Sequence, residues 1–188
     1  MSKAEIIAAI QKNKPPLVPL PAMVDYGITY ADTLSQFKES LTSIHALLET
    51  YSSVDNFRQT FTKTDQANNA VYWQMDHQAN ETINMPHDYA HLTHAIYQGC
   101  VAVAENGAIF IDFTNEAHRS PFVLAQNLYI IIDQKHIVDN MHQAYGKINH
   151  QCSYGVFVSG PSKTADIQQS LVIGAHGARS LTVILIDN

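Results

Sequence analysis

A chain of 188 residues with a formal charge of −6 and eleven Lys and Arg can bury a core in one domain with room for a small helical extension. It lacks the clustered basic surface of a broad nucleic-acid footprint, although a few amides and a single lysine suffice for one local anion site. No apolar run approaches the length of a membrane span and the opening MSKAEIIAAIQKNK is not a signal peptide, so a soluble, cytoplasmic protein without membrane insertion is expected.

Residues 3 to 13 carry Ile6, Ile7 and Ile10 at helical spacing, and Pro15, Pro16, Pro19 and Pro21 then hold the chain extended. Residues 1–21 therefore read as a helix and a stiff linker, packed on the domain itself or on a partner, and residues 22–188 as a single α/β domain. From Ala31 to Tyr51, Leu34, Phe37, Leu41, Ile44, Leu47 and Leu48 recur every three or four positions, predicting one amphipathic helix over a sheet face. SVDNFRQTF predicts a short helix and NNAVYWQM a short strand whose Tyr72 and Trp73 fill a core or line a cleft. His87, His91 and His94, spaced by four and three, share a face if residues 87–98 are helical. They lack the glutamate of a His-Glu-x-x-His pair, so they read as surface or structural histidines and no metal site is expected.

The stretch GCVAVAENGAIFID predicts two strands, Cys100–Ala104 and Ala108–Phe113, joined at Asn106-Gly107, a strong hairpin signal because both residues tolerate positive φ. Glu105 at the strand end is either part of that turn or a working carboxylate: nucleophile, base or acceptor. Cys100 and Cys152 form no Cys-x-x-Cys pair and cannot supply the four thiolates of a typical iron–sulfur cluster. They read as reduced, largely buried thiols, with a disulfide as the alternative. Arg119, beside His118 ahead of the helix-like SPFVLAQN, is a solvated turn residue or a carboxylate or phosphate contact. NLYIIIDQKHIV supplies a buried strand ending at Asp133, and a polar helix follows over about residues 139–148.

The last third reads as a βαβ unit: strand Tyr154–Val158, the SGPSK turn, a helix, the GAHG turn, and strand Leu181–Ile186. Ser162 is its expected N-cap, with Pro161 and Gly160 shaping the approach. The amides of Lys163, Thr164 and Ala165 then point outward from a strand's carboxyl end, where open α/β sheets bind ligands and a helix start favours an anion. The turn is neither a Walker A loop nor a Gly-x-Gly-x-x-Gly fingerprint, so ATP and NAD lose their usual support, and no cofactor is expected. Plain capping stands beside capping plus binding, and His176 either belongs to a helix-ending turn or reaches the same site. Alternating strands and helices predict an open, largely parallel sheet with flanking helices.

The segments AVAENGAIFI, NLYIIIDQKHIV and above all VSGPSKTADIQQSLVIGAHGARSLTVILID resemble the lactate utilization protein C family, the small LUD-domain proteins, over about residues 87–187. The family's usual Glu-Thr-Gly-Thr turn stands here as Glu105-Asn106-Gly107-Ala108, without its two hydroxyls, and His-Gly-Pro as His176-Gly177-Ala178. The resemblance implies a fold like that of ribose-phosphate isomerase, glucosamine-phosphate deaminase and coenzyme A transferase. It also implies one component of an L-lactate oxidation system that makes pyruvate: a small-anion-binding or co-catalytic subunit without its own redox centre, beside protein partners bearing iron–sulfur clusters. Its anion site would comprise Ser159, Gly160, Ser162, Lys163 and Thr164, facing a wall of Glu105, Asn106 and Gly107, with His176 and Arg119 as further contacts. Ala104-Glu105-Asn106-Gly107 is also similar to the Ser-Glu-Asn-Gly element of coenzyme A transferases, implying acyl transfer through Glu105 as nucleophile. A pure interaction module with the N-terminal helix as docking arm is the third reading.

Overall fold

The two most apolar runs, NLYIIID and SLTVILI, lie side by side at the centre of the molecule. The computed structural model describes residues 2–19, 27–63, 71–76, 86–116, 119–164, 172–173 and 176–187. In chain order the first elements are α1 (Lys3–Lys12), α2 (Thr33–Ser43), β1 (Leu47–Tyr51), α3 (Val54–Lys63), β2 (Val71–Trp73), a 3-10 turn (Pro86–His91), β3 (His94–Gln98), β4 (Val101–Val103) and β5 (Ile109–Asp112). There follow α4 (Ser120–Leu124), β6 (Asn127–Asp133), a second 3-10 turn (Gln134–His136), β7 (Ile137–Val138), α5 (Met141–Lys147), β8 (Gly155–Val158), β9 (Lys163–Thr164), β10 (Val172–Ile173) and β11 (Ser180–Ile186).

Five strands form a parallel sheet in the order β1-β11-β6-β3-β2, with β11 and β6 in register from Ser180 against Asn127 to Ile186 against Asp133. Alternate residues of these strands enter different cores, as the pleat requires. Leu181, Val183 and Leu185 join Leu128, Ile130 and Ile132 on one face, under Phe37 and Leu41 of α2. Ile184, Ile186, Tyr129 and Ile131 meet Phe57 and Phe61 of α3 on the other. Both faces are covered, which is why these strands are apolar at nearly every position. A second sheet, β7-β4-β5-β8, packs Ala102, Ile109 and Ile111 into the first core. Its opposite face puts Val101, Val103, Phe110 and Val138 against Ala144 of α5. The expected parallel sheet with flanking helices is present, with this mixed sheet layered on it.

Four sequence expectations are corrected. The long helix stops at Ser43: His45 turns left-handed at φ 64, its amide donates to Thr42, and the Ala46 amide donates to Leu41 at 2.9 Å. These are the two bonds of a Schellman motif, and Leu47 and Leu48 then leave as the edge strand β1. The histidine face does not exist, because His94 opens β3 and is buried between Phe61 and Tyr129, while the side chain of His87 lies outside the described residues. Cys100 is exposed and Cys152 half-buried, and both are free.

The fourth correction concerns the last third. β8 is antiparallel to β5 in the second sheet, whereas β11 lies between β1 and β6 in the first, so the two are not a βαβ pair. Lys163 and Thr164 do not open a helix; they pair antiparallel with Val172 and Ile173, and residues 165–171 lie outside the described residues. Ser162 is accordingly no N-cap: its amide donates to the Ala178 carbonyl at 2.9 Å. With Val172 and Ile173 in a strand, the Gly174-Ala175-His176-Gly177 turn ends no helix there, and its first two residues are outside the described set.

Candidate functional site

Three turns meet at the carboxyl-terminal end of α2. In the β4–β5 hairpin, Gly107 takes φ +69 and donates to Val103 at 2.9 Å, while Asn106 Oδ1 accepts the Ala108 amide at 3.0 Å. Helix α2 sits on this turn: Ser40 Oγ donates to the Ala104 carbonyl at 2.6 Å, and a Cβ on Gly107 would come 2.8 Å from Ile44 Cδ1. From the other side, Ser159 Oγ donates to the Asn106 carbonyl at 3.0 Å. Gly160, at φ +84, lies so close that a Cβ there would be 2.7 Å from the Ile44 carbonyl oxygen. The chain's Ser-Gly sequence is thus explained by close packing on two neighbouring turns rather than by a helix start.

Lys163 completes the cluster. Its Nζ donates to the Ile44 carbonyl at 2.8 Å and stands 3.2 Å from His45 Nδ1. A cation on the last carbonyls of a helix is favourable, so part of this lysine's role is to cap α2. Nδ1 then serves as acceptor, which assigns the imidazole proton to Nε2. An ammonium has three donors, and two are engaged among the described residues. Sequence reasoning missed His45 because it read as a position inside a continuous helix. Its signal is conformational: a left-handed non-glycine residue costs about 1 kcal/mol, and here it carries an exposed imidazole beside Lys163.

Glu105 adjoins this cluster but points elsewhere. Its amide donates to the Asp139 carbonyl at 2.9 Å, and its exposed carboxylate accepts from the Met141 amide at 3.2 Å, the first amide of α5. The Asn106 backbone, not the carboxylate, makes the contact with Ser159. Ser162 touches the remaining wall: a Cβ on Gly177 would lie 3.0 Å from Ser162 Cβ. His176 is exposed on a recess of about 420 Å³ with Val123, Leu124, Gln126 and Arg179. Thr164 belongs to β9, and its side chain is outside the described residues. Arg119 is not in the cluster. Its guanidinium stacks 4.3 Å from the Tyr154 ring centre, at the start of β8, whereas Ser159 follows the end of that strand.

The cluster also lies at the amino end of β1, not at the carboxyl edge of the parallel sheet. At that carboxyl edge sequence reasoning named nothing. There Gln74, after β2, accepts the Gln98 amide at 2.8 Å and donates to the Asp112 carbonyl at 3.2 Å, beside a recess of about 260 Å³ reached by Glu116. Strand-end position is the one signal that could have pointed to these residues. Tyr72 packs in the core with its hydroxyl donating to Glu116, and Trp73 packs against Phe57 and Phe61 beneath Arg58. Among the described residues no three His, Cys, Asp or Glu are grouped to hold a metal, and no helix is long and apolar enough to cross a membrane.

The class is therefore a mixed α/β protein with a parallel sheet and flanking helices. Residues 62–186 match the LUD domain, and the chain belongs to that family. Lactate utilization protein C of Oceanobacillus iheyensis is 30% identical over 94 residues, 46% of this chain and 40% of the relative. That of Shouchella clausii is 33% identical over 94 residues, covering 47% and 41%. That of Bacillus pumilus is 27% identical over 123 residues, covering 62% and 50%. The match thus spans less than half the length of the first of these relatives. A DUF162 family protein from Deinococcus radiodurans has a similar fold, with a TM-score of 0.58 and 14% identity over 86% of this chain and 100% of that one.

Proposed function

We propose that this chain is a small-anion-binding or co-catalytic component of an L-lactate oxidising system that yields pyruvate. In this reading it carries no redox centre of its own and works beside protein partners bearing iron–sulfur clusters. The observation that carries the reading is the junction of turns at the exposed Lys163, whose ammonium has one donor unengaged among the described residues and whose acceptor, the Ile44 carbonyl, also abuts Gly160, next to Ser159 on the Asn106-Gly107 turn. The family membership and the names of the relatives support the pathway. We place the anion at Lys163 because a charge-assisted hydrogen bond is stronger than a neutral one. The same reading makes residues 22–188 one domain with the ribose-phosphate isomerase and coenzyme A transferase type of fold, and residues 1–21 an arm.

Two experiments test it. Deleting the gene should abolish growth on L-lactate and spare growth on glucose; unimpaired growth on lactate would sink the pathway assignment. In calorimetric titrations with pyruvate and lactate, Lys163→Ala should weaken binding about tenfold, and unchanged affinity would remove Lys163 from the site.

Acyl transfer through Glu105 has one feature in its favour, the exposure of its carboxylate. The carboxylate would attack an acyl-CoA thioester carbonyl, expel the CoA thiolate and leave an acyl-glutamyl anhydride. Its bond to the Met141 amide opposes this by stabilising the unreacted anion. An acyl-CoA donor should then leave a hydroxylamine-sensitive mass adduct, absent in Glu105→Gln. No adduct with any of several donors would end this alternative.

A further inference from the structure

Strand β1 closes one side of the parallel sheet, and among the described residues it pairs with β11 alone. The Tyr51 carbonyl accepts the Asp187 amide, which fixes the phase of that ladder. Alternate residues of a strand turn their N–H and C=O groups to opposite sides. Leu47, Glu49 and Tyr51 therefore bond to β11, while Leu48 and Thr50 turn their backbone groups to the open edge. Such an edge is a template for pairing with another chain unless it is guarded. β1 has no proline and one charge, Glu49, and it leaves Leu47 62% exposed.

The charges along this edge are polarised. Lys38 and His45 stand at its amino end, on the rim of an apolar recess formed by Leu41, Ala46, Leu47 and Leu48. Glu49 and Asp55, the latter in the first turn of α3, lie toward its carboxyl end. We infer that a second copy of this chain pairs with the edge, β1 antiparallel to β1 about a two-fold axis, so that the two parallel sheets become one. Antiparallel pairing brings each basic end to the partner's acidic end, and the symmetry makes that match twice. The pattern complements itself, which is why the occupant is a second copy. The inference is independent of the anion reading of Lys163.

Side-chain faces match about such an axis only when it passes through a like pair, and three residues can supply that pair: Leu48, Glu49 or Thr50. An axis at Glu49 sets like charges directly opposite each other, which is destabilising. An axis at Leu48 calls on Ala46 to pair with the partner's Thr50, yet the Ala46 amide is already given to the Leu41 carbonyl at 2.9 Å. The axis at Thr50 has neither fault. It forms a Thr–Thr pair, a favourable cross-strand combination, and sets Glu49 opposite the partner's Tyr51, a hydroxyl that already donates to Glu49 within its own chain at 2.8 Å. Leu47 then lies opposite the partner's Ser53, and the partner's Ser53 and Val54 cover the apolar recess. The contact is small, so the dimer is reversible and depends on concentration.

The test is sedimentation equilibrium of the full chain from about 1 to 500 µM, where a monomer–dimer equilibrium is expected. Leu47→Asp, at an exposed position, should weaken the dimer about tenfold and leave Tm unchanged, and added salt should weaken it as well. Thr50→Cys, with Cys100→Ser and Cys152→Ser, should form a disulfide-linked dimer under mild oxidation, because the opposed Cα atoms would lie about 5.5 Å apart, within disulfide range. Leu48→Cys in the same background should not. A monomer at every concentration, or a dimer indifferent to Leu47→Asp, would overturn the inference. So would a dimer lost on removal of residues 2–12, which would assign the contact to α1, or a cross-link that forms at Leu48→Cys in preference to Thr50→Cys.

Discussion

Gly160 and Gly107 both need the left-handed region, yet they differ in what surrounds them. A Cβ on Gly160 would strike the Ile44 backbone carbonyl at 2.7 Å, which also holds Lys163, whereas a Cβ on Gly107 would strike the end of the Ile44 side chain at 2.8 Å. A carbonyl at a helix end cannot move without loosening the motif, but a terminal methyl can turn. Gly160→Ala should therefore lower stability by about 3 kcal/mol and Gly107→Ala by about 1 to 2 kcal/mol, read from urea midpoints. If Gly107→Ala proves the worse of the two, the packing of the SGPSK turn on α2 is wrong. The Asn-Gly turn was legible because its signal is local. The fit of Gly160 was not, since Ile44 lies far away in the chain.

At the scale of elements, α1 is the best-specified helix and the least attached. Ser2 and Glu5 form a capping box, with the Ser2 amide donating to Glu5 at 2.7 Å, yet the helix buries no residue. Deleting residues 2–12 should change folding stability by less than about 0.5 kcal/mol. A loss well above that in urea titrations would mean that α1 packs on its own domain and would end its proposed role as a docking arm. Helix α2 shows the opposite case. Its apolar spacing continues past its end through Leu47 and Leu48, because an edge strand half-covered on one side uses the same residue types. A change of direction at His45 leaves the spacing untouched, so the spacing could not reveal it.

For the whole molecule, burial of ionisable groups sets a pH window. Burial pushes the Tyr97 and Tyr72 hydroxyls far above their ordinary value near 10, and that of Tyr51 up to about 12. These phenols keep their protons in the folded chain when the unfolded chain has lost them, so their contribution is complete below pH 10 and is lost as pH rises through the folded values. Burial pushes His94 below its ordinary 6.5. The unfolded chain then takes up that proton first, so this contribution is present above pH 6.5 and lost as pH falls. Urea midpoints should form a plateau between about pH 7 and 10, and Tyr72→Phe should soften the alkaline edge. A midpoint that keeps rising above pH 10 would contradict the buried phenols. The sequence by itself determined the features that depend on near neighbours: the Asn-Gly hairpin, the apolar runs that became β6 and β11, helix α5, and the terminal segment that marks the LUD domain. Only the tertiary structure decided that β8 and β11 belong to different sheets, that Lys163 enters a strand and caps α2, and that His45 stands beside it. The physical reason is one of range. Hydrophobic period and turn chemistry act over a few residues, whereas sheet membership and the meeting of three turns are settled by which apolar faces bury one another across the whole chain.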